Sequence, residues 1–448
     1  MATRGHPASA DEISPARACA FAVVRRVFEQ GAYADRALTA EATGLDPRER
    51  ALATALAFGT VQRRATLDHV AERLMDRSVR RLQAPVLAAL RLGLLQLLFM
   101  DGIAEHAAVN ESVELAKAAG SRRGAGLVNA VLRRAARERA PLLAELSDAT
   151  PAQASVRYSV PEWLAELWFA ELGPEAARRL LGRVNAPAEA ALRVNTLLST
   201  RELVLAALPV PARPVPELPE AVLLDAPFDV HGSELWRRGA IMAQSRASML
   251  VARALAPASD ARILDLCAAP GAKATHLAAL SGGGERITAV ERNPGRARAL
   301  QETFARMHVT GARVQVADAA APRPEGPVYD AVLVDPPCSG LGTLQSRPDL
   351  RWRTSPERIR DLSDLQARIL RAGAAATAPG GTLVYSVCTL TRSEGEELVG
   401  EFLSECRQFS AEALGELAPA AASGPWLQTL PDRDHTDGFF IARLRRAG

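Results

Sequence analysis

The chain of 448 residues sets 54 lysines and arginines against 51 aspartates and glutamates, a formal charge of only +3, so net charge alone does not announce a polyanion-binding protein. Hydrophobic residues make up 48%, which excludes a disordered polymer, and no charge-free apolar run reaches the ~18 residues of a membrane span. Five cysteines, at 19, 267, 338, 388 and 406, show no CxxC or zinc spacing. Disulfides and a bound metal are therefore not expected, and reduced thiols point to the cytoplasm.

The opening MATRGHPASADE lacks the apolar centre of a secretory leader. From 13 to 140, apolar residues recur every three or four positions, as in Ala20, Val23, Val24, Val27 and Phe28. That spacing predicts an all-helical domain over 1–145. Its charge is lopsided, with 21 basic and 15 acidic residues in 1–140. The stretch 121–140 holds six arginines, among them Arg122, Arg123, Arg133 and Arg134. They form either a phosphate-facing surface or an ordinary solvated helix face.

A second, smaller α+β unit is predicted over 146–239. PEWLAELWFAELG and PEAARRLLGRVN read as helices, and AALRVNTLL alternates like a strand. The proline-rich LPVPARPVPELPE (208–220) suits only loop or sheet edge.

From 240 to 448 the rhythm becomes strand, loop, helix. Strands are expected at 261–268, 286–291, 312–318, 329–335 and 381–387, with helices between them. Apolar strands alternating with helices predict a parallel sheet covered on both faces. Such sheets bind ligands at the carboxyl ends of their strands. Cys267, Glu291, Asp318, Asp335 and Cys388 all fall at or just beyond such ends.

The turn LDLCAAPGAKATHL (264–277) is neither GxGxxG nor a P-loop, which disfavours a dinucleotide or nucleoside triphosphate. Glu291 suits a ribose diol, and Asp318 an adenine amino group; the plainer alternative is that each caps a helix. The ordered set fits S-adenosylmethionine held by Cys267, Ala268, Ala269, Pro270, Gly271, Ala272, Lys273, Glu291, Asp318 and Asp335. Lysine is scarce, with 52 arginines and only Lys117 and Lys273, so a lysine in this turn carries weight. A cation there would lower the pKa of a neighbouring thiol.

CAAPGAK, the acid at 291, ADA at 317–319, DPPCSG and YSVCTL resemble, in order and spacing, the RNA cytosine carbon-5 methyltransferases of the NOL1/NOP2/Sun family. The stretches LDPRERALATALAFGTVQRR, EHAAVNESVELAK and GLVNAVLRR are similar to a NusB-like RNA-binding domain, found fused to the bacterial 16S ribosomal RNA members of that family. The resemblance implies a Rossmann-like S-adenosylmethionine-dependent methyltransferase domain behind a NusB-like domain, with small-subunit ribosomal RNA as substrate. A monomer is expected. One departure is Ala272 where the family has glycine; if that position needs positive φ, alanine is strained there.

Carbon 5 of cytosine is a weak nucleophile until a thiolate adds to carbon 6. The ring then needs an acid at N3, and burial beside two prolines would keep Asp335 protonated for that task. Release needs a base for the carbon-5 proton, a task for a second thiol. A Pro-Cys thiol attacks in DNA enzymes, which would favour Cys338. The resemblance implies instead that Cys388 attacks and Cys338 assists release. Cys19 and Cys406 read as core, and Cys267 as packing within the turn. Arg351, Trp352 and Arg353 offer phosphate contacts and a stacking surface for the RNA, unless Trp352 is a packing aromatic. Two other functions compete. An exocyclic-amine methyltransferase would carry an aromatic where Cys338 stands, and a non-catalytic RNA-binding or antitermination factor would have no use for two cysteines and three carboxylates.

Overall fold

A computed structural model describes residues 13–324 and 326–448, which leaves the opening MATRGHPASADE outside the described residues. Contacts divide the chain into two compact units. Of the described residues, the first comprises those up to Ala186 together with Leu344–Arg353, and the second those of Pro187–Thr343 with Thr354–Gly448. Among the described residues, no helix is long and apolar enough to cross a membrane.

The first unit is helical throughout, as the spacing predicts. Asp46 caps the helix Pro47–Gln62 by accepting from the N–H groups of Arg48 and Glu49, with Pro47 filling the first-turn position that lacks a donor partner. The helix Ala84–Phe99 is buried on nearly all sides and forms the centre of this unit. Its one charge, Arg91, is held by Asp68 through two 2.7 Å hydrogen bonds. The helix Arg122–Arg137 is amphipathic: Ala125, Val128, Val131, Leu132 and Ala135 face the core. By contacts the helices Pro151–Tyr158, Glu162–Leu172 and Pro174–Arg183 fall within the first unit, and the small sheet that follows them falls within the second. Thr66 Oγ1 donates to the Val156 carbonyl at 2.5 Å, and Ala65 N–H to Ser159 Oγ at 2.9 Å, pinning the additional helices to the bundle.

The second unit holds two sheets. In the smaller one, β1 (Ala191–Val194), β2 (Ala212–Val215), β3 (Leu218–Leu224) and β4 (Ile241–Ala243) run in the order β2-β3-β1-β4, with antiparallel neighbours. The proline-rich stretch thus supplies an edge strand, β2, but also the start of the interior strand β3. The latter is tolerated because Pro219 sits next to the first residue of β3, where the strand pairs only with the bulged end of β2.

The larger sheet contains β5 (Ile263–Asp265), β6 (Ile287–Glu291), β7 (Arg313–Val316), β8 (Tyr329–Val334), β9 (Thr377–Val387), β10 (Phe409–Glu412), β11 (Ala422–Ser423), β12 (Trp426–Gln428) and β13 (Phe440–Arg446). Its parallel core runs β7-β6-β5-β8-β9, and β13 closes antiparallel on β9. All five strands expected from the sequence are present. Successive side chains alternate between two layers. Ile263, Ala331, Leu333 and Val384 pack with the helices Arg246–Leu255, Ala272–Ser281 and Pro294–Arg306. Leu264, Val332, Val334, Leu383 and Tyr385 pack with Pro356–Ala376 and Glu396–Glu405. The chain leaves β5 toward β6 and β7, then returns to β8 on the other side. The switch point therefore lies between β5 and β8, where sheets of this kind form a ligand crevice. The fold is Rossmann-like.

Candidate active site

The crevice begins where β5 ends. Residues 266–271 turn into the helix Ala272–Ser281, and the left-handed residue is Gly271, at φ +109°. A Cβ there would also lie 2.9 Å from Leu300 Cδ1, a side-chain end that can shift, so it is the left-handed backbone that calls for glycine. The strain expected at Ala272 does not arise, because positive φ falls one residue earlier and Ala272 opens the helix. From below the turn, the fully buried Arg193 of β1 donates to the Ala272 carbonyl, to Thr275 Oγ1 at 2.7 Å and to Gln244 Oε1 at 2.5 Å. Burial pulls its pKa down to about 9.

At the end of β6, the buried Glu291 accepts from the Asn293 N–H at 2.8 Å and pairs with Arg296 at 3.3 Å. It therefore braces the entry to the next helix, as the capping alternative has it, while a carboxylate retains further acceptor sites for a ligand. Asp318 is exposed, with Oδ1 accepting from the Ala320 N–H at 3.0 Å.

Lys273, in the first turn of the helix, sits 2.7 Å from Asp335 Oδ2 at the end of β8. Burial works against the lysine's charge, but Asp335 outweighs it and raises the pKa of Lys273. Ser386 Oγ donates to the other Asp335 oxygen at 3.0 Å. Asp335 thus meets an ion pair and a donor rather than the apolar surroundings expected of it. The carboxyl that burial pushes upward is its neighbour Asp265, to about 7, with the charge of Asp335 adding to the effect. Asp265 Oδ2 is buried and meets no hydrogen-bond partner.

Cys338, just beyond β8, and Cys388, just beyond β9, stand with sulfurs 3.2 Å apart, both half-buried. The Cys388 carbonyl accepts from the Gly342 N–H at 3.0 Å. The Cys338 thiol is raised well above the ordinary value, first by its hydrogen bond to Cys388 and then by burial. The lowering expected from Lys273 is therefore absent at Cys338; the lysine is engaged by Asp335. Burial likewise raises the Cys267 thiol, consistent with a packing role in the turn.

The RNA-facing candidates divide. Arg122, Arg123, Arg133 and Arg134 are exposed on one helix. Arg134 also pairs with Glu138 at 2.8 Å, and Arg133 with Asn129 at 2.9 Å. Arg351 and its neighbours, by contrast, are internal anchors. The fully buried Arg351 donates to the carbonyls of Gln62, Ser159, Val184 and Leu344 and to Asn185 Oδ1. Trp352 donates to the Val61 carbonyl at 2.8 Å and packs against the bundle. Arg353 is held by Asp349 at 2.7 Å and by the carbonyls of Gly31 and Ala32. These side chains are spent on the helical unit and are not free for phosphate or base.

Sequence reasoning passed over Arg193, Asp265, Ser386 and Glu394. Ser386 carried a signal, since it lies two residues before Cys388. Glu394 carried none, because TRSEGEE reads as surface charge.

Three family models match the chain. The 16S rRNA methyltransferase RsmB/F model covers residues 252–445, the NusB family 14–137, and the ferredoxin-like domain of RsmF/B-like methyltransferases 160–231. The chain is 34% identical to a probable ribosomal RNA small subunit methyltransferase B of Synechocystis sp., over 96% of this chain and 99% of that protein. It is 35% identical to ribosomal RNA small subunit methyltransferase B of Xylella fastidiosa, over 97% and 98%. The crystal structure of PH0851 shares its fold, with a TM-score of 0.83 at 24% identity over 97% of this chain and 99% of that one. Two relatives matched nearly end to end, and a family model spanning the sheet that carries the paired cysteines, agree: the chain belongs to the RsmB/F family of 16S rRNA methyltransferases.

Proposed function

We propose that this protein methylates carbon 5 of a cytosine in 16S ribosomal RNA, using S-adenosylmethionine and a covalent bond between Cys388 and carbon 6. The observation that carries the reading is the thiol pair, Cys338 and Cys388, 3.2 Å apart beside the Lys273–Asp335 ion pair at the switch point of the sheet. Methylation of an exocyclic amine needs no thiol, whereas methylation of carbon 5 needs one to activate the ring and benefits from a second to finish.

The residues present fit S-adenosylmethionine. The Gly271 turn brings backbone close to the crevice, Glu291 keeps acceptor capacity for a diol, and Asp265 leaves a buried oxygen unpartnered. When bound, the cofactor supplies an electrophilic methyl group on a sulfonium.

The protein's own groups then divide the work. Cys388 attacks as thiolate, steadied by the S–H of Cys338. A carbon–sulfur bond forms at carbon 6, and the electron pair moves toward carbon 5 and N3. Asp335 meets N3, and Lys273 fixes its orientation and carries the proton that the pair requires. Once carbon 5 has gained the methyl, loss of its proton restores the double bond and expels the Cys388 sulfur. Cys338 serves this release, as base in its deprotonated form; in the resting site its surroundings hold it as thiol. The exposed arginines Arg122, Arg123, Arg133 and Arg134 bind RNA phosphate in this reading, and the enzyme works in the cytoplasm.

The test uses small-subunit ribosomal RNA and methyl-labelled cofactor. Cys388→Ala is expected to lose both methyl transfer and covalent adducts, and Cys338→Ala to accumulate an RNA–protein adduct. Turnover by Cys388→Ala would overturn the assignment.

A further inference from the structure

Both cysteine loops close on one side chain. Glu394, in the helical turn Arg392–Glu394, is completely buried. Its Oε1 accepts from the Ser339 N–H at 2.8 Å and from Gln366 Nε2 at 2.9 Å. Its Oε2 accepts from Ser339 Oγ at 2.5 Å, Thr391 Oγ1 at 2.8 Å and Thr389 Oγ1 at 3.3 Å. Ser339 and Thr389 also touch each other, at 2.6 Å. Every one of these partners can donate, which is the surrounding of an ionised, acceptor-only carboxylate. Ser339 directly follows Cys338 in the chain, and Thr389 directly follows Cys388. A single carboxylate therefore holds the next residue after each thiol.

We infer that Glu394 is a positioning residue that fixes the separation of the two thiols by holding the residue after each of them, with its charge placed near Cys338. The inference rests on the reading of Cys388 as nucleophile. Burying a carboxylate without a cation beside it is expensive, so a structural tether alone would be served more cheaply by a neutral amide. Its negative charge does what an amide cannot. The groups facing Cys338 are Cys388, Glu394, Asp335 and Tyr385, and the three that carry negative charge all raise its thiol. Lys273, the cation of the site, is engaged by Asp335. The tether and the charge thus act together: geometry brings the sulfurs within hydrogen-bond reach, and the carboxylate adds to the Cys388 contact and the burial that raise the Cys338 thiol.

The experiment uses the full chain and two readouts. In a Cys388→Ala background without RNA, alkylation of Cys338 by iodoacetamide is followed against pH by peptide mass spectrometry. Adding Glu394→Gln is expected to lower the alkylation midpoint by about one pH unit or more, while Glu394→Asp, which keeps the charge, leaves it high. In the chain with both cysteines, Glu394→Gln and Glu394→Asp are each expected to slow formation of the RNA adduct by about tenfold or more, with cofactor affinity unchanged. An unmoved Cys338 midpoint together with native adduct formation would overturn the inference. Should Glu394→Gln not fold, Ser339→Ala and Thr389→Val remove one tether each. Slower adduct formation in both supports the inference, and native rates in both overturn it. Because the alkylation is read without RNA, its outcome is distinct from failure of the nucleophile assignment, which would show as turnover by Cys388→Ala.

Discussion

Arg193 on the four-stranded sheet donates a 2.7 Å hydrogen bond to Thr275 on the helix that follows the Gly271 turn. The same guanidinium reaches the Ala272 carbonyl. The small sheet is thus a buttress for the first turn of the helix that carries Lys273. Breaking a buried charge network of this kind costs roughly 3–5 kcal/mol. Arg193→Lys keeps the charge but not the fork, and is expected to lower the unfolding midpoint and weaken cofactor affinity together, measured by thermal melting and calorimetric titration.

Gly271 and Ala272 are expected to respond in opposite ways. Gly271→Ala forces a Cβ into left-handed backbone and against Leu300 and Thr303, which should cost about 1–3 kcal/mol and loosen cofactor binding. Ala272→Gly restores the family's usual residue at a helix start and should cost under about 1 kcal/mol. Equal effects in denaturant titrations would place the left-handed residue wrongly.

Asp265 makes stability depend on pH. Its folded pKa lies near 7 because of burial and Asp335, above the ordinary carboxyl value, so the folded state holds its proton longer than the unfolded chain does. Stability is therefore lost as pH rises from about 4 to about 7 and stays low above that. Asp265→Asn removes the titration. Relative to native protein, this variant should gain stability at pH 8, at most on the order of 4 kcal/mol, and little at pH 4.5. Thermal melts at the two pH values check the sign; a native curve rising from pH 4.5 to 8 by the same amount in both proteins would refute it.

The arginines of the helical unit separate into buried anchors and exposed side chains. Arg351→Ala is expected to destabilise the protein by about 3–5 kcal/mol, since five acceptors lose their donor. Its effect on RNA affinity should follow from unfolding alone. Arg122→Gln with Arg123→Gln should leave the melting temperature unchanged, weaken RNA binding, and flatten the salt dependence of log Kd by up to about two units of slope. Binding titrations at several salt concentrations distinguish the two classes.

Much of the architecture was legible in one dimension. Helical periodicity marked the N-terminal bundle, and the strand–loop–helix rhythm marked all five parallel strands. Polar residues at strand ends led to Cys267, Glu291, Asp318, Asp335 and Cys388, because a parallel sheet gathers its strand ends into one crevice. The rest depended on partners far apart in the chain. Nothing in LQSRPDLRWR distinguishes an exposed basic loop from a segment whose arginines satisfy carbonyls nearly 300 positions away, as Arg351 does for Gln62. For residues 146–186 local pattern shows the helices but not which contacts they make.

What the sequence by itself determined is the order of secondary structure and the chemical inventory of the crevice, since both follow from local pattern and residue type. What only tertiary structure decided is the state of those groups. Asp335 sits opposite Lys273, and Asp265 is pushed upward by its own burial and by the charge of Asp335. The left-handed residue of the turn is Gly271, because Ala272 already belongs to the helix. The thiols stand 3.2 Å apart because Glu394, 55 positions from Ser339, draws both loops onto one buried carboxylate. Charge and protonation depend on distance and burial, and only the folded chain sets those.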